Sequence, residues 1–178
     1  PEISKVPDAI LHTLVTKRGA SADFSQNKFG FTRACSEEND IFENPSINAV
    51  LVASRHNSHA RLTVEALSAG KSVLVEKPLG LNKEELDAIR LARKDANAFF
   101  QVGFNRRFAP LAVKARNMLA AISGPRFMVF RINAGSVPVG SWLHSPNEGG
   151  GRIIGEMCHF IDLARYFVGD FNSGSGMV

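Results

Sequence analysis

Short apolar runs alternate with longer segments of mixed character along the first part of the chain. Four runs have the length of a strand: DAILHTLVT (8–16), NAVLVAS (48–54), KSVLVEKP (71–78) and AFFQVGF (98–104). Two of them, 48–54 and 71–78, have apolar residues at successive positions, which is typical of strands covered on both faces. Segments with helical spacing lie between the runs, at residues 20–30, 58–70 and 82–97.

This alternation predicts an α/β fold with a parallel sheet and helices on both faces. In such sheets the ligand binds at the carboxyl ends of the strands. Three polar segments fall at those ends, namely 54–59, 76–78 and 103–107. The sequence therefore predicts a cleft along this edge.

The pattern changes after residue 104, where we place a domain boundary between 1–104 and 105–178. The second part predicts a helix at 109–123, a longer strand at 124–135 and a Gly-rich mobile loop at 141–152. An amphipathic helix, 153–169, follows. This is too little for a complete domain, so we expect 105–178 to be part of an α/β substrate domain.

Composition excludes several classes of protein. The chain has 178 residues, is 44% hydrophobic and carries a formal charge of +4. Its basic residues are interleaved with acidic ones, which argues against a nucleic-acid partner. Cys35 and Cys158 are far apart, which favours free thiols in a reducing compartment. No long apolar span is present, so we expect no membrane partner and a cytoplasmic location.

Three ordered motifs resemble those of one oxidoreductase family. They are VLVASRHNSHARLTVEALSAGKSVLVEKPLGLNKEEL, VGFNRRFAP, and a Trp followed by GGGRIIGEMCHFIDLARYFVG. Together they resemble the glucose-fructose oxidoreductase, inositol dehydrogenase and rhizopine catabolism (Gfo/Idh/MocA) family over residues 8–169. The resemblance implies an NAD(P)-binding Rossmann-type domain, here incomplete, followed by an α/β substrate and dimerisation domain. It also implies oxidation or reduction of a hydroxyl on a sugar, inositol or related polyol, and a homo-oligomer when the protein is full length.

Three departures from the family pattern bear on function. The glycine-rich phosphate loop would precede residue 1, so the chain is expected to be a fragment. The Asp that most members carry four residues before the helix His is Gly155, with Glu156 beside it, and the usual Thr-Pro-Asn is Ser54-Arg55-His56. These departures keep open a non-catalytic sugar or nucleotide sensor, an inactive truncated copy, or a glycosidase that uses bound NAD transiently.

The resemblance implies catalytic roles for Lys77 and His159. Pro78 fixes the backbone after Lys77, whose amine would polarise the reacting oxygen. Glu156 and Asp162 lie three residues either side of His159, so a carboxylate could orient the imidazole as a general base. Glu156 could also stand in for the missing Asp.

The remaining site predictions concern cofactor, substrate and metal. The cofactor-binding residues are Thr16, Lys17, Arg18, Ser54, His56, His59, Glu76, Lys77, Pro78 and Asn105. Basic Lys17 and Arg18 after the first strand would tolerate a 2′-phosphate, which favours NADP over NAD. Substrate contacts are predicted for Arg106, Trp142 and Asp162. His56 and His59 form an H-x-x-H pair without further ligands, so no metal is expected.

Overall fold

The structure is a computed structural model and describes residues 2–16 and 19–170. The strands are β1 (Thr13–Val15), β2 (Arg33–Cys35), β3 (Ala49–Val52), β4 (Ser72–Val75) and β5 (Phe100–Val102). The helices are α1 (Gly19–Phe29), α2 (Asn39–Phe42), α3 (His56–Ser68), α4 (Lys83–Asp95), α5 (Pro110–Ala120) and α6 (Cys158–Val168). Short 3₁₀ turns span Glu2–Lys5, Asn105–Phe108 and Trp142–His144, and a π turn spans Ile153–Met157.

The described strands pair in parallel, as the alternation predicted. One sheet has the order β3-β4-β5, and β1 pairs with β2 in a second. Strand β2 was not predicted, because RAC is too short to show a period. Its strand geometry comes from backbone pairing with β1, in which Thr13 lies opposite Arg33.

The core lies on one face of β3-β4-β5. Val52, Val73 and Val75 are buried there against Ala66 and Leu67 of α3, and α4 packs against the same cluster. Each of the buried Val and Leu side chains contributes about 1.5–3 kcal/mol to folding. This packing fixes the ends of β3 and β4, from which the site is built.

Both faces of these strands were predicted to be covered by helices, and the described helices cover one of them. Leu51 and Leu74 point away from the core and are 52% and 40% exposed. Successive right-handed crossovers in one direction place α3 and α4 on the same side of the sheet. The apolar runs are therefore typical of strands that are buried on both faces, but the described residues cover only one face.

The predicted strand at 124–135 is not formed. Phe127 is 93% exposed, and no described strand lies beside this segment. A β conformation needs a partner for its N–H and C=O groups, so the propensity of the segment alone does not produce a strand. The predicted helix at 109–123 is confirmed as α5.

The predicted final helix begins differently from expectation. Residues Ile153–Met157 form a π turn, and the α-helix starts only at Cys158. Such turns often mark functional sites.

The boundary at residue 104 stays a prediction. Among the described helices, none is long and apolar enough to cross a bilayer.

Candidate functional site

Lys77 reaches from the end of β4 to the π turn. Its side chain is 18% exposed, and Nζ donates a hydrogen bond of 2.9 Å to the carbonyl of Gly155. Oε1 of Glu156 lies 3.8 Å from the same Nζ. Pro78, buried and joined to Lys77 by a cis peptide bond, follows directly. The structure thus brings together two predicted catalytic residues that are far apart in sequence.

His159 stands on the first turn of α6 beside the same edge. It is only 7% exposed, and its ring lies 6.2 Å from that of Phe104 in a T-shaped contact. Its Nδ1 is buried and has no hydrogen-bond partner among the described residues. Burial lowers the pKa of His159, and the positive charges of Lys77 and Arg106 lower it further. A neutral imidazole is the form that can accept a proton.

Asp162 does not orient His159, which corrects the expectation for this residue. Asp162 is 6% exposed, and both its carboxylate oxygens accept hydrogen bonds from Arg107, one of them from Nε at 2.9 Å. The ion pair raises the pKa of Arg107. The substrate contact of Asp162 stays a prediction, and in this structure its two oxygens form a bidentate pair with Arg107. The pair instead fixes α6 to the 3₁₀ turn after β5.

Glu156 is the carboxylate that lies near Lys77 and affects the pKa of His159. Its negative charge raises the pKa of His159, which opposes the larger lowering from burial. Its position beside Lys77 agrees with the predicted role in the site, which stays a prediction.

His56 is buried against the Gly-rich loop. Its Nδ1 lies 2.9 Å from the carbonyl of Gly149, and its ring makes an edge contact with Trp142 at 4.8 Å. A Cβ on Gly155 would lie 3.1 Å from Cε1 of His56. The ring therefore occupies the space that a side chain at position 155 would need. Burial lowers the pKa of His56.

The ring of His59 is enclosed between two strand ends, and its cofactor contact stays a prediction. It is 1% exposed, and its two ring nitrogens lie 2.8 Å from the carbonyl of Pro78 and 3.0 Å from that of Ser54. Because these carbonyls end the segments after β4 and β3, His59 holds the two strand ends together. The hydroxyl of Ser54 remains at the surface and pairs with Ser58.

Two other predicted cofactor residues, Glu76 and Asn105, are exposed at the same edge after β4 and β5. Thr16 follows β1 in the other sheet, where its N–H donates to the carbonyl of Cys35. Lys17 and Arg18 lie outside the described residues.

Two cavities adjoin His159 and the π turn. The first, of about 490 Å³, is lined by Asn105, Arg106, Phe108, Ala109 and His159. The second, of about 600 Å³, lies between the 132–135 segment and the start of α6, and Arg106, Arg152 and Glu156 contribute charged groups to it. Trp142 does not border either cavity and packs on His56 instead.

No grouping of three or more His, Cys, Asp or Glu side chains that could hold a metal ion occurs within the described ranges. His56 and His59 are tied to backbone carbonyls.

Sequence reasoning missed Arg152 and the partner of Arg107. Arg152 lies directly after the three glycines and donates to the carbonyls of Ala134 and Gly135. A basic residue next to a glycine run was the available signal. The sequence did not indicate which of Arg106 and Arg107 would pair with a carboxylate, because the two neighbours have identical side chains.

Comparison with known proteins identifies relatives of this chain. The profile of the Gfo/Idh/MocA family, described as "Oxidoreductase family, NAD-binding Rossmann fold", matches residues 3–104. Levoglucosan dehydrogenase of Pseudarthrobacter phenanthrenivorans is 32% identical over 153 residues, covering 82% of this chain and 39% of that protein. Myo-inositol 2-dehydrogenase of Thermotoga maritima is 30% identical over 181 residues, covering 99% and 54%.

Solved structures show the same relationship. A levoglucosan dehydrogenase in complex with NADH and levoglucosan superposes with a TM-score of 0.81 at 28% identity, covering 91% of this chain and 46% of that one. A probable dehydrogenase from Thermotoga maritima gives a TM-score of 0.75 at 26% identity, covering 92% and 49%. The chain thus spans about half the length, or less, of these relatives.

Proposed function

The chain belongs to the Gfo/Idh/MocA oxidoreductase family, and from that membership we propose that the full protein transfers a hydride between NAD and a hydroxyl-bearing carbon of a sugar, inositol or related polyol. The observation that carries the proposal is the convergence of Lys77, Glu156 and His159 at the carboxyl edge of the sheet. Relatives named as levoglucosan and inositol dehydrogenases support the reaction class.

The edge fits the nicotinamide half of a dinucleotide. Ser54, Glu76 and Asn105 expose a hydroxyl, a carboxylate and an amide at adjacent strand ends, and α3 begins directly after β3. These are the groups that hydrogen-bond ribose hydroxyls and a carboxamide. When bound, the nicotinamide supplies the hydride acceptor or donor.

The protein residues handle the proton and the oxygen. In the oxidation direction, we assign to His159 the acceptance of the hydroxyl proton on a neutral ring nitrogen. Lys77 has three N–H donors, of which one serves Gly155. The others can donate to the substrate oxygen and stabilise the negative charge that develops as its proton leaves.

We assign NAD as the cofactor. The NADH complexes of the levoglucosan dehydrogenase support NAD, whereas the argument for NADP rests on Lys17 and Arg18 alone. Homo-oligomerisation, the cytoplasmic location and the division at residue 104 remain predictions.

The reaction class is tested with labelled substrate. We expect the full-length protein, incubated with NAD⁺ and a panel of carbon-deuterated neutral and acidic sugars and polyols that includes myo-inositol, levoglucosan and D-glucuronate, to yield deuterated NADH from at least one of them, detectable by mass spectrometry. A parallel incubation with NADP⁺ measures the cofactor preference. Absence of label in either cofactor, in a folded sample that binds NADH, would instead favour the non-catalytic sensor.

The pH dependence of turnover is expected to follow His159. Its pKa lies below the ordinary value of 6.5, so the ring stays neutral as pH falls past 6.5 and protonates only at lower pH. Therefore kcat/KM for oxidation should have an acid limb with its midpoint below 6.5, measured as initial rate against pH. Glu156→Gln removes a charge that raises this pKa, so it should move the midpoint lower.

Glu84→Gln, an exposed carboxylate in the first turn of α4, is the matched control and should leave the midpoint unchanged. A midpoint at or above 6.5 in the wild type, or an upward shift in Glu156→Gln, would contradict the assignment of His159 as base.

A further inference from the structure

Arg106 presents an unneutralised charge between the two cavities. It lines both of them, and no carboxylate in the described part of the chain lies within 4.0 Å of its guanidinium. The guanidinium lies 4.6 Å from the centre of the Phe160 ring. Stacking on a ring face restrains the guanidinium plane and leaves its N–H groups free at the edge.

Arg107, the next residue, shows the contrasting case. Its edge N–H groups bind both oxygens of Asp162 inside the protein. The same 3₁₀ turn therefore carries two arginines in different environments. Arg107 is paired with a carboxylate of the protein, whereas Arg106 borders the cavities without such a partner among the described residues. Fork-shaped pairing with a planar anion is the interaction to which a guanidinium edge is suited.

Arg152 adds a second cation to the larger cavity. Its guanidinium donates to the backbone carbonyls of Ala134 and Gly135, which hold the head group in place without neutralising it. A guanidinium has five N–H donors, so others remain. Arg152, like Arg106, forms no ion pair among the residues that the structure describes.

The acidic residues nearby do not balance these charges. Glu156 borders the larger cavity, but its carboxylate lies 3.8 Å from Lys77 and offsets that cation. Asp162 is paired with Arg107. The cavity is therefore left with an excess of positive charge, which attracts an anion.

From this arrangement we propose that the cavity binds an anionic substituent of the substrate, so that the substrate is an acidic sugar derivative rather than a neutral polyol. The inference rests on the proposed function, since it gives that reaction a substrate class. Arg106 links the two parts of the site, because it also borders the cavity that contains His159. A ring with one hydroxyl beside His159 can thus place a carboxylate or phosphate against Arg106 and Arg152.

Equilibrium binding to the full-length protein in the presence of NAD⁺ tests the proposal without requiring turnover. The probes are D-glucuronate, D-glucose 6-phosphate and D-glucose, with D-galacturonate and D-galactose as a second matched pair. We expect at least one acidic probe to bind about 10-fold or more tightly than its neutral counterpart, as charge-assisted hydrogen bonds imply. The phosphate arm separates recognition of a carboxylate from recognition of a phosphate.

Arg106→Gln and Arg152→Gln should each weaken binding of the preferred acid by about 10-fold and should weaken binding of the neutral sugar much less. Arg90→Gln, on the exposed face of α4 and 80% exposed, is the charge-matched control and should change neither. Thermal melting of each variant checks that the fold is retained.

No preference for an acid in either pair, or an acid affinity that is insensitive to both arginine variants, overturns the proposal. If an acid binds through these arginines but no deuterium reaches the cofactor from any probe, the anion site stands and the proposed hydride transfer fails. If neutral polyols are oxidised without any acid preference, hydride transfer stands and the anion site fails.

Discussion

Lys77→Ala is expected to lower kcat for substrate oxidation by about 10²–10³-fold, the range for removal of one donor that stabilises negative charge developing on the reacting oxygen. The variant loses the donor that stabilises charge on the reacting oxygen. NADH binding should be largely retained, because the strand ends that we assign to the cofactor keep their backbone. Stopped-flow measurement of reduced nicotinamide, with a separate NADH titration, distinguishes lost chemistry from lost binding.

Lys83→Ala is the matched control for Lys77. Lys83 is 81% exposed on the first turn of α4 and pairs with Asp87. Its removal should leave kcat within about twofold, since exposed ion pairs contribute about 0–1 kcal/mol to stability. Equal kcat in Lys77→Ala and Lys83→Ala would show that Lys77 has no part in catalysis.

Gly149→Ala is expected to cost about 3 kcal/mol or more in the free energy of unfolding, at the upper end for overpacking. A Cβ at this position would lie 2.4 Å from Cα and 2.5 Å from the carbonyl oxygen of Leu143. Both obstacles are backbone atoms, so no side-chain rotation can relieve them. Urea denaturation of the full-length protein, followed by fluorescence of Trp142, measures the loss.

Gly140→Ala serves as the control, because nothing lies within 4 Å of its added Cβ and its φ is not positive. It should change the free energy of unfolding by no more than about 0.5 kcal/mol. The Gly149 variant should also lose activity. The carbonyl of Gly149 lies within hydrogen-bond distance of His56, and the ring of His56 packs against Gly155, whose carbonyl accepts the hydrogen bond from Lys77. Matching stabilities for the two alanine variants would refute the close packing of the loop on Leu143.

The periodic features of the sequence were sufficient to predict the α/β class and the edge that holds the site. Strand-length apolar runs alternating with helical segments require parallel pairing, and parallel pairing places Lys77 and Asn105 at the same sheet edge. The sequence also singled out His159 beside Glu156, since both lie in one short segment. These features depend on local spacing, which the chain carries in itself.

Partner choice depended on the tertiary structure. Asp162 was placed near His159 by helical spacing, yet it pairs with Arg107 because α6 packs against the turn after β5. The same packing separates Arg106, which faces the cavities, from its neighbour. The prediction of a continuous α-helix before His159 was also wrong. A π turn replaces that part of the helix, and within it the carbonyl of Gly155 accepts a hydrogen bond from Lys77.

The sequence by itself therefore determined the class of fold, the alternation of its longer helices with β3, β4 and β5, and the residue types at the strand ends. Only the tertiary structure decided which sheet face is covered, whether 124–135 pairs as a strand, and which charge is neutralised by which partner. The physical reason is that periodicity reports the environment a segment is suited to. Hydrogen bonds, ion pairs and burial, by contrast, depend on residues that are distant in sequence and meet only in the folded chain.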